Sequence, residues 1–450
     1  MKFKSLFRRK PLIQHLNSEQ CLQPCLTAFD LILFGIGAII GAGVFVLTGV
    51  VAATTAGPAV VLSYSLAGLA ALFAALSYAE LTASIGGCGS AYNYAYVGFG
   101  ECIAWLIGWN LVFEYGLSVA TVAIGWSGYV EDIFLSLHIA LPKGKINLLA
   151  IMIVGILTFL LCVGVKESAR FNAIVVFIKL LTIAFFIIIA STHVHSANWV
   201  PFFPFGWSGV TSGAALVFFA YIGFDALSTA AEETIHPQRD IPLGIIVSVI
   251  FCTLIYIIVS ALLTGIVSYQ TLNNSSPVAS ALLQLRYPLA AGIVGAGAIA
   301  GLTTVMLVMF YGLTRIFLSM ARDGLLPTVF SNLHSKTRSP IILIIFSGVI
   351  IAFFAGILPI HRAAELVNIG TLTAFTFVCA GVIILRAREP DMPRPFKLPW
   401  NPLIPSLGII FCLYLMMHLP SITWWRFLIW LLIGIVIYFA YGKNNSLLQK

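Results

Sequence analysis

Residues 243–267 read LGIIVSVIFCTLIYIIVSALLTGIV, an apolar run without a charged side chain. As a helix this run is roughly 37 Å long, more than the ~30 Å of a bilayer's hydrocarbon core. Runs of this kind recur from residue 29 to residue 441 and constrain the chain more than any other feature. A soluble fold needs a polar surface. A chain that is 60% hydrophobic and 9% charged, with a mean hydropathy of +1.02, cannot supply one. The runs are continuous rather than alternating, which excludes a membrane β-barrel.

Hydropathy predicts an all-α polytopic membrane protein with twelve spans: 29–53, 58–83, 99–130, 146–165, 170–191, 209–231, 243–267, 289–320, 341–358, 366–385, 403–418 and 422–441. Lys and Arg orient them, because cytoplasmic loops retain positive charge. With the N-terminus inside, 17 fall on the inner side and five (Lys143, Lys145, Arg286, Arg362 and Arg426) on the outer. Both termini are therefore expected in the cytoplasm. The net charge of +8 reads as topology, because the basic residues are not clustered as nucleic-acid binding would need. The basic N-terminus is followed by a full-length span, so no cleaved signal peptide is expected. Of the eight cysteines, Cys21 and Cys25 are spaced as a CxxxC, but the segment lacks the partners of a metal or redox site. His193 and His195 are a weak metal pair; no cofactor or metal is expected.

Charged residues inside spans are costly and mark function. Lys179 lies nine residues beyond Arg170, ~13 Å into its span. A lysine stem reaches only about 6 Å, so this one is strained to snorkel. It reads either as paired with backbone carbonyls or as a buried amine that takes up and releases a proton during a cycle. Glu114, near the middle of the third span, reads equally as structural or as part of a proton path. Arg315, Asp323 and Glu80 lie toward span ends and read as structural, with Glu80 able to snorkel.

Two spans carry glycines at mid-depth: GAIIGAGVF in the first and FFAYIGFD in the sixth. They lie five spans apart, so the second block of five is inverted relative to the first. Interrupted spans at matching positions of inverted halves point to a transporter's binding site. A break exposes N–H groups that attract an anion and carbonyls that attract a cation. N–H groups near Ala42, Gly43 and Val44 suit an α-carboxylate. Carbonyls near Ile39, Phe219, Ala220 and Ile222 suit an α-ammonium. Gly41 and Gly223 let a ligand approach the backbone. Taken alone, Gly35, Gly37 and Gly41 favour close helix packing; the two interruptions in register favour a site.

These segments, with EYGLSVATVAIGWSGY, HPQRDIP and RIFLSMARDGLLP, resemble the amino acid–polyamine–organocation superfamily over about residues 20–440. Within it they are most similar to bacterial members of the cationic amino acid transporter family. The resemblance implies a LeuT-like 5+5 inverted repeat with discontinuous helices 1 and 6. Its parts are a cytoplasmic segment 1–28, repeats 29–200 and 201–388, helices 11–12 in 389–441, and a cytoplasmic tail 442–450. It implies uptake of L-amino acids across the plasma (inner) membrane, in contact with lipid. It also implies that Lys179 stands where sodium-coupled relatives hold sodium, near Gly37, Thr303 and Thr304, which favours the proton as coupling ion.

The pocket wall reads as apolar, with Ile40, Phe219, Ile222 and Met309. Small or medium neutral substrates are therefore favoured over cationic ones. Phe219, just before the second break, reads as an aromatic gate. An exchanger of two amino acids remains an open alternative. A polytopic membrane enzyme, a nutrient sensor and a channel are less well supported: catalytic residues are not clustered, and no signalling domain or pore loop is visible. EETIHPQRDIP reads as a cytoplasmic loop. RAREPDMPRPFKLPWNP reads as a stiff basic connector near anionic headgroups.

Overall fold

The structure is a computed structural model that describes residues 8–10, 26–136, 146–163, 166–334 and 339–449. Cys21 and Cys25 lie outside the described residues. Among those residues the fold is all-helical, with a lone bridge between Leu26 and Thr234 and no β-strand. The principal helices are α1 (Ala28–Ile39), α2 (Val60–Ile85), α3 (Glu101–Ser136), α4 (Leu148–Val163), α5 (Lys166–Ser191), α6 (Gly206–Val217), α7 (Pro237–Ile266), α8 (Pro288–Arg322), α9 (Ile341–Ile357), α10 (Ile360–Arg388), α11 (Leu403–Met417) and α12 (Ser421–Ile437).

Local sequence explains several boundaries. Thr27 and Asp30 form a reciprocal capping box at the start of α1, which satisfies two backbone donors there. Prolines open α7 and α8, where a missing N–H costs nothing. Gly86, at φ +69°, ends α2. Among the described residues, eight helical runs are long and apolar enough to cross a membrane, and α4, α9 and α11 are shorter apolar helices. The expected spans 29–53 and 58–83 fall in one of these runs, Ala28–Ile85, which turns at Gly57 (φ +63°). The lipid-facing side of α7 is visible in its exposed residues: Leu243, Ile250, Leu254 and Ile258 lie at helical spacing on one face. The chain is a multi-pass membrane protein.

The centre of the molecule is α1, which packs against α5, α7 and α8. Around it, α2 lies along α7 and α3 along α8. α12 joins the outside of α3, where Trp430 stacks on Trp109 at 4.4 Å between ring centres. Charge pairs tie the helix ends at one side. Arg315 meets Glu233 at 3.1 Å, and Lys10 meets Asp323 at 2.8 Å. Glu80 does not snorkel. It is buried at 2% exposure, pairs with Arg386 through two bonds of 2.8 and 2.5 Å, and accepts the Leu398 N–H at 2.8 Å. The proline-rich connector is thereby pinned onto α2 and α10.

Candidate functional site

α1 stops inside the protein. Ile40 is extended (φ −75°, ψ 105°), and helix resumes at Gly43. A helix that ends away from water must find donors for its last carbonyls. Ile36 O accepts from the Ile40 N–H at 3.0 Å, and Gly41 O from the Phe45 N–H at 3.2 Å. The other donors are side chains of surrounding helices. Lys179 Nζ of α5 donates to Gly37 O at 3.0 Å and Ile40 O at 2.8 Å. Tyr256 Oη of α7 lies 2.8 Å from Ile39 O. On the resumed helix, Tyr64 of α2 donates to Gly43 O at 2.8 Å, and Tyr129 of α3 to Phe45 O at 2.6 Å. Side chains of four helices thus bond the backbone on the two sides of the break.

The second break follows α6. A tight turn over Phe218–Tyr221 leads to an extended Ile222 and then Gly223 at φ +118°. The chain continues as a 3-10 helix, Phe224–Glu233. Asp225 lies just past the break, as its motif suggests. Its Oδ1 accepts the Gly223 N–H at 3.2 Å, and its Oδ2 accepts from the Tyr115 hydroxyl.

The two breaks touch. A Cβ at Gly43 would overlap Ala220, and one at Gly223 would sit 2.9 Å from Ala38 O. Glycine at 43 and 223 therefore serves backbone-on-backbone contact. At 35, 37 and 41 a Cβ would meet Ser248, Val176 and Val305, which is helix packing. Tyr256 bridges the breaks, because its hydroxyl is also 2.8 Å from Ala220 O. One hydroxyl hydrogen cannot fully serve two carbonyls, so an acceptor is left over at this point.

Lys179 is fully buried, and all its hydrogen-bond partners are neutral oxygens. Thr304 Oγ1 is 3.5 Å from its ammonium. Thr303 is elsewhere: its hydroxyl bonds Ile299 O and receives the Trp126 indole N–H at 3.1 Å. Glu114 is fully buried, and the Thr371 hydroxyl and Asp225 are both close enough to act on its carboxyl group.

A small cavity lies between the breaks. Of the residues expected from sequence, Ile39, Gly41, Ala42, Gly43, Phe219, Ile222 and Met309 line it, and Ile40, Val44, Ala220 and Gly223 do not. Ile40 instead presents its carbonyl to Lys179, and Val44 lines a neighbouring apolar cavity. Ala38, Ser118, Val122 and Val305 complete the lining. The room inside is about 10 Å³, which is about one water molecule. A larger ligand requires side chains such as Phe219 and Met309 to move. Sequence reasoning missed Tyr64, Tyr129 and Tyr256. Their available signal was a tyrosine deep in an apolar span, since a buried hydroxyl needs a partner.

The arrangement offers backbone N–H groups, carbonyls and an apolar wall around one point, and it lacks a catalytic cluster among the described residues. The family model for "Amino acid permease" matches residues 26–439. A branched-chain amino acid permease, BcaP, of Bacillus subtilis is 47% identical over 99% of both chains. A methylthioribose transporter of the same organism is 43% identical over 99% of this chain and 100% of its own. A vacuolar cationic amino acid transporter 4 of Arabidopsis thaliana is 39% identical over 86% of this chain and 68% of its own. The chain belongs to the amino acid permease family, within the amino acid–polyamine–organocation superfamily, and is a transporter, not an enzyme.

Proposed function

We propose that this transporter takes up small to medium neutral L-amino acids with protons, by alternating access around the paired breaks. The observation that carries the reading is their convergence: Ile39 O and Ala220 O, one from each break, meet at the single hydroxyl of Tyr256. An α-ammonium takes the acceptor that this hydroxyl leaves over. The α-carboxylate takes the first N–H groups of the resumed helix, near Ala42, Gly43 and Val44, where the helix dipole favours an anion. The side chain then faces Val122, Ile222, Val305 and Met309. A wall of this kind suits an aliphatic side chain, which agrees with the branched-chain relative better than with a thiosugar or a cationic substrate. Among the described residues, no carboxylate lines the cavity to meet a cationic side chain.

In this reading the chain crosses the membrane twelve times with both termini cytoplasmic. Residues 29–200 and 201–388 are inverted five-helix repeats in a LeuT-like arrangement, and 389–441 lie outside them. Phe219 gates the site. Lys179 couples the proton, because its ammonium bonds the carbonyls of the first break and losing its charge would weaken that hold. Glu114 is a candidate for the proton's path. The test is uptake by reconstituted protein. Accumulation of alanine or valine on an inside-alkaline gradient, without sodium, supports the reading. Uptake that needs sodium and ignores pH defeats it.

A further inference from the structure

Two short hydroxyl side chains of α3 return to their own helix. Thr121 donates to Leu117 O and Ser127 to Ile124 O, both at 2.7 Å. Ser118 does not. Its Oγ is buried without a hydrogen-bond partner, and the residue is 1% exposed. It also lines the cavity between the breaks, where its neighbours Val122, Val305 and Met309 are apolar. A buried hydroxyl left unpaired is costly, and a ligand that pairs it recovers that cost. The charged ends of an amino acid are already matched by the two breaks, so the group left to reach Ser118 is the side chain.

We propose that Ser118 is a specificity residue whose hydroxyl hydrogen-bonds a hydroxyl on the substrate's side chain. Among neutral amino acids of one shape, it favours the hydroxylated member over the aliphatic one: threonine over its isostere valine. Both partners can donate and accept, so the pair forms without a charge. A site with a hydrogen-bonding group penalises an analogue that lacks the matching group, because its own hydroxyl stays unpaired. The inference rests on the neutral amino acid reading above and refines it: on a wall that otherwise suits an aliphatic side chain, Ser118 adds a preference for a hydroxyl among side chains of one shape.

The test is competition by L-threonine and L-valine against labelled L-alanine counterflow in proteoliposomes containing the full chain. One neutral hydrogen bond predicts that Ser118→Ala lowers the threonine preference relative to valine by about three- to tenfold. Ser118→Cys keeps the shape but bonds weakly, so it should move the ratio the same way and covers the case in which the alanine variant does not fold. A ratio unchanged in the variants that carry alanine overturns the role of Ser118. So does an equal loss for both competitors, which would place the hydroxyl on the shared amino acid group or on a held water. If wild-type protein carries none of the three amino acids, the neutral amino acid reading falls first and this inference with it.

Discussion

Replacing Lys179 separates its two tasks, holding the first break and carrying charge. The ammonium donates to Gly37 O and Ile40 O at 3.0 and 2.8 Å in a fully buried setting. Lys179→Met keeps most of the volume and removes both donors. Each orphaned carbonyl costs about 1–3 kcal/mol, so the pair predicts a loss of about 2–6 kcal/mol, less whatever the backbone relaxes. Lys179→Gln retains an NH₂ with two hydrogens, although its stem is shorter. Exchanging two charge-assisted bonds for neutral ones costs about 2 kcal/mol in total. The methionine variant should therefore unfold several degrees earlier in detergent and lose alanine counterflow. The glutamine variant should retain counterflow, which needs no net proton movement, and lose accumulation on a pH gradient. A methionine variant as stable as wild type would refute the structural role. A glutamine variant that still accumulates alanine on the gradient would refute the coupling role.

Tyr256→Phe strips the bridge between Ile39 O and Ala220 O, and should lower thermal stability by about 1–3 kcal/mol while weakening alanine binding. Gly223→Ala combines φ +118° with contact on Ala38 O. It should cost at least about 1–2 kcal/mol and abolish uptake while protein still reaches the membrane, measured by surface labelling and transport. Met309→Ala should widen the cavity and raise uptake of leucine relative to alanine, read from a substrate panel. Glu80→Ala leaves Arg386 without its buried partner and should cost about 3 kcal/mol in thermal unfolding, with the threonine-to-valine ratio unchanged because the pair is remote from the cavity.

The membrane class and the helix positions were legible because hydrocarbon accepts long uncharged runs only as helices. Expected spans and observed helices agree to within a few residues over most of the chain, for example 289–320 against Pro288–Arg322. The two breaks were legible for a related reason, since a charge is rare at mid-depth and Asp225 follows Gly223 there, in a span that matches the glycine-rich first span across the inverted halves. What stayed hidden depended on partners from distant helices. Tyr256 resembles any other tyrosine in an apolar run until α7 is laid against both breaks. Glu80 sits near a span end, where snorkelling is the ordinary outcome, and only the return of the 389–402 connector shows why it is buried. Thr303 and Thr304 are adjacent in sequence, but on a helix they point about 100° apart, so only one can reach Lys179. Ile40 was expected in the pocket wall by its place in the break, but its carbonyl serves Lys179.

Proton-driven uptake through the paired breaks is tested most directly by the glutamine variant and wild type side by side in sodium-free proteoliposomes. An inside-alkaline gradient should drive wild type to accumulate labelled alanine above its external concentration, and collapsing the gradient with a protonophore should release it. The Lys179→Gln protein should only equilibrate the label. Accumulation that depends on sodium, or equal accumulation by both proteins, would contradict the coupling assigned to Lys179.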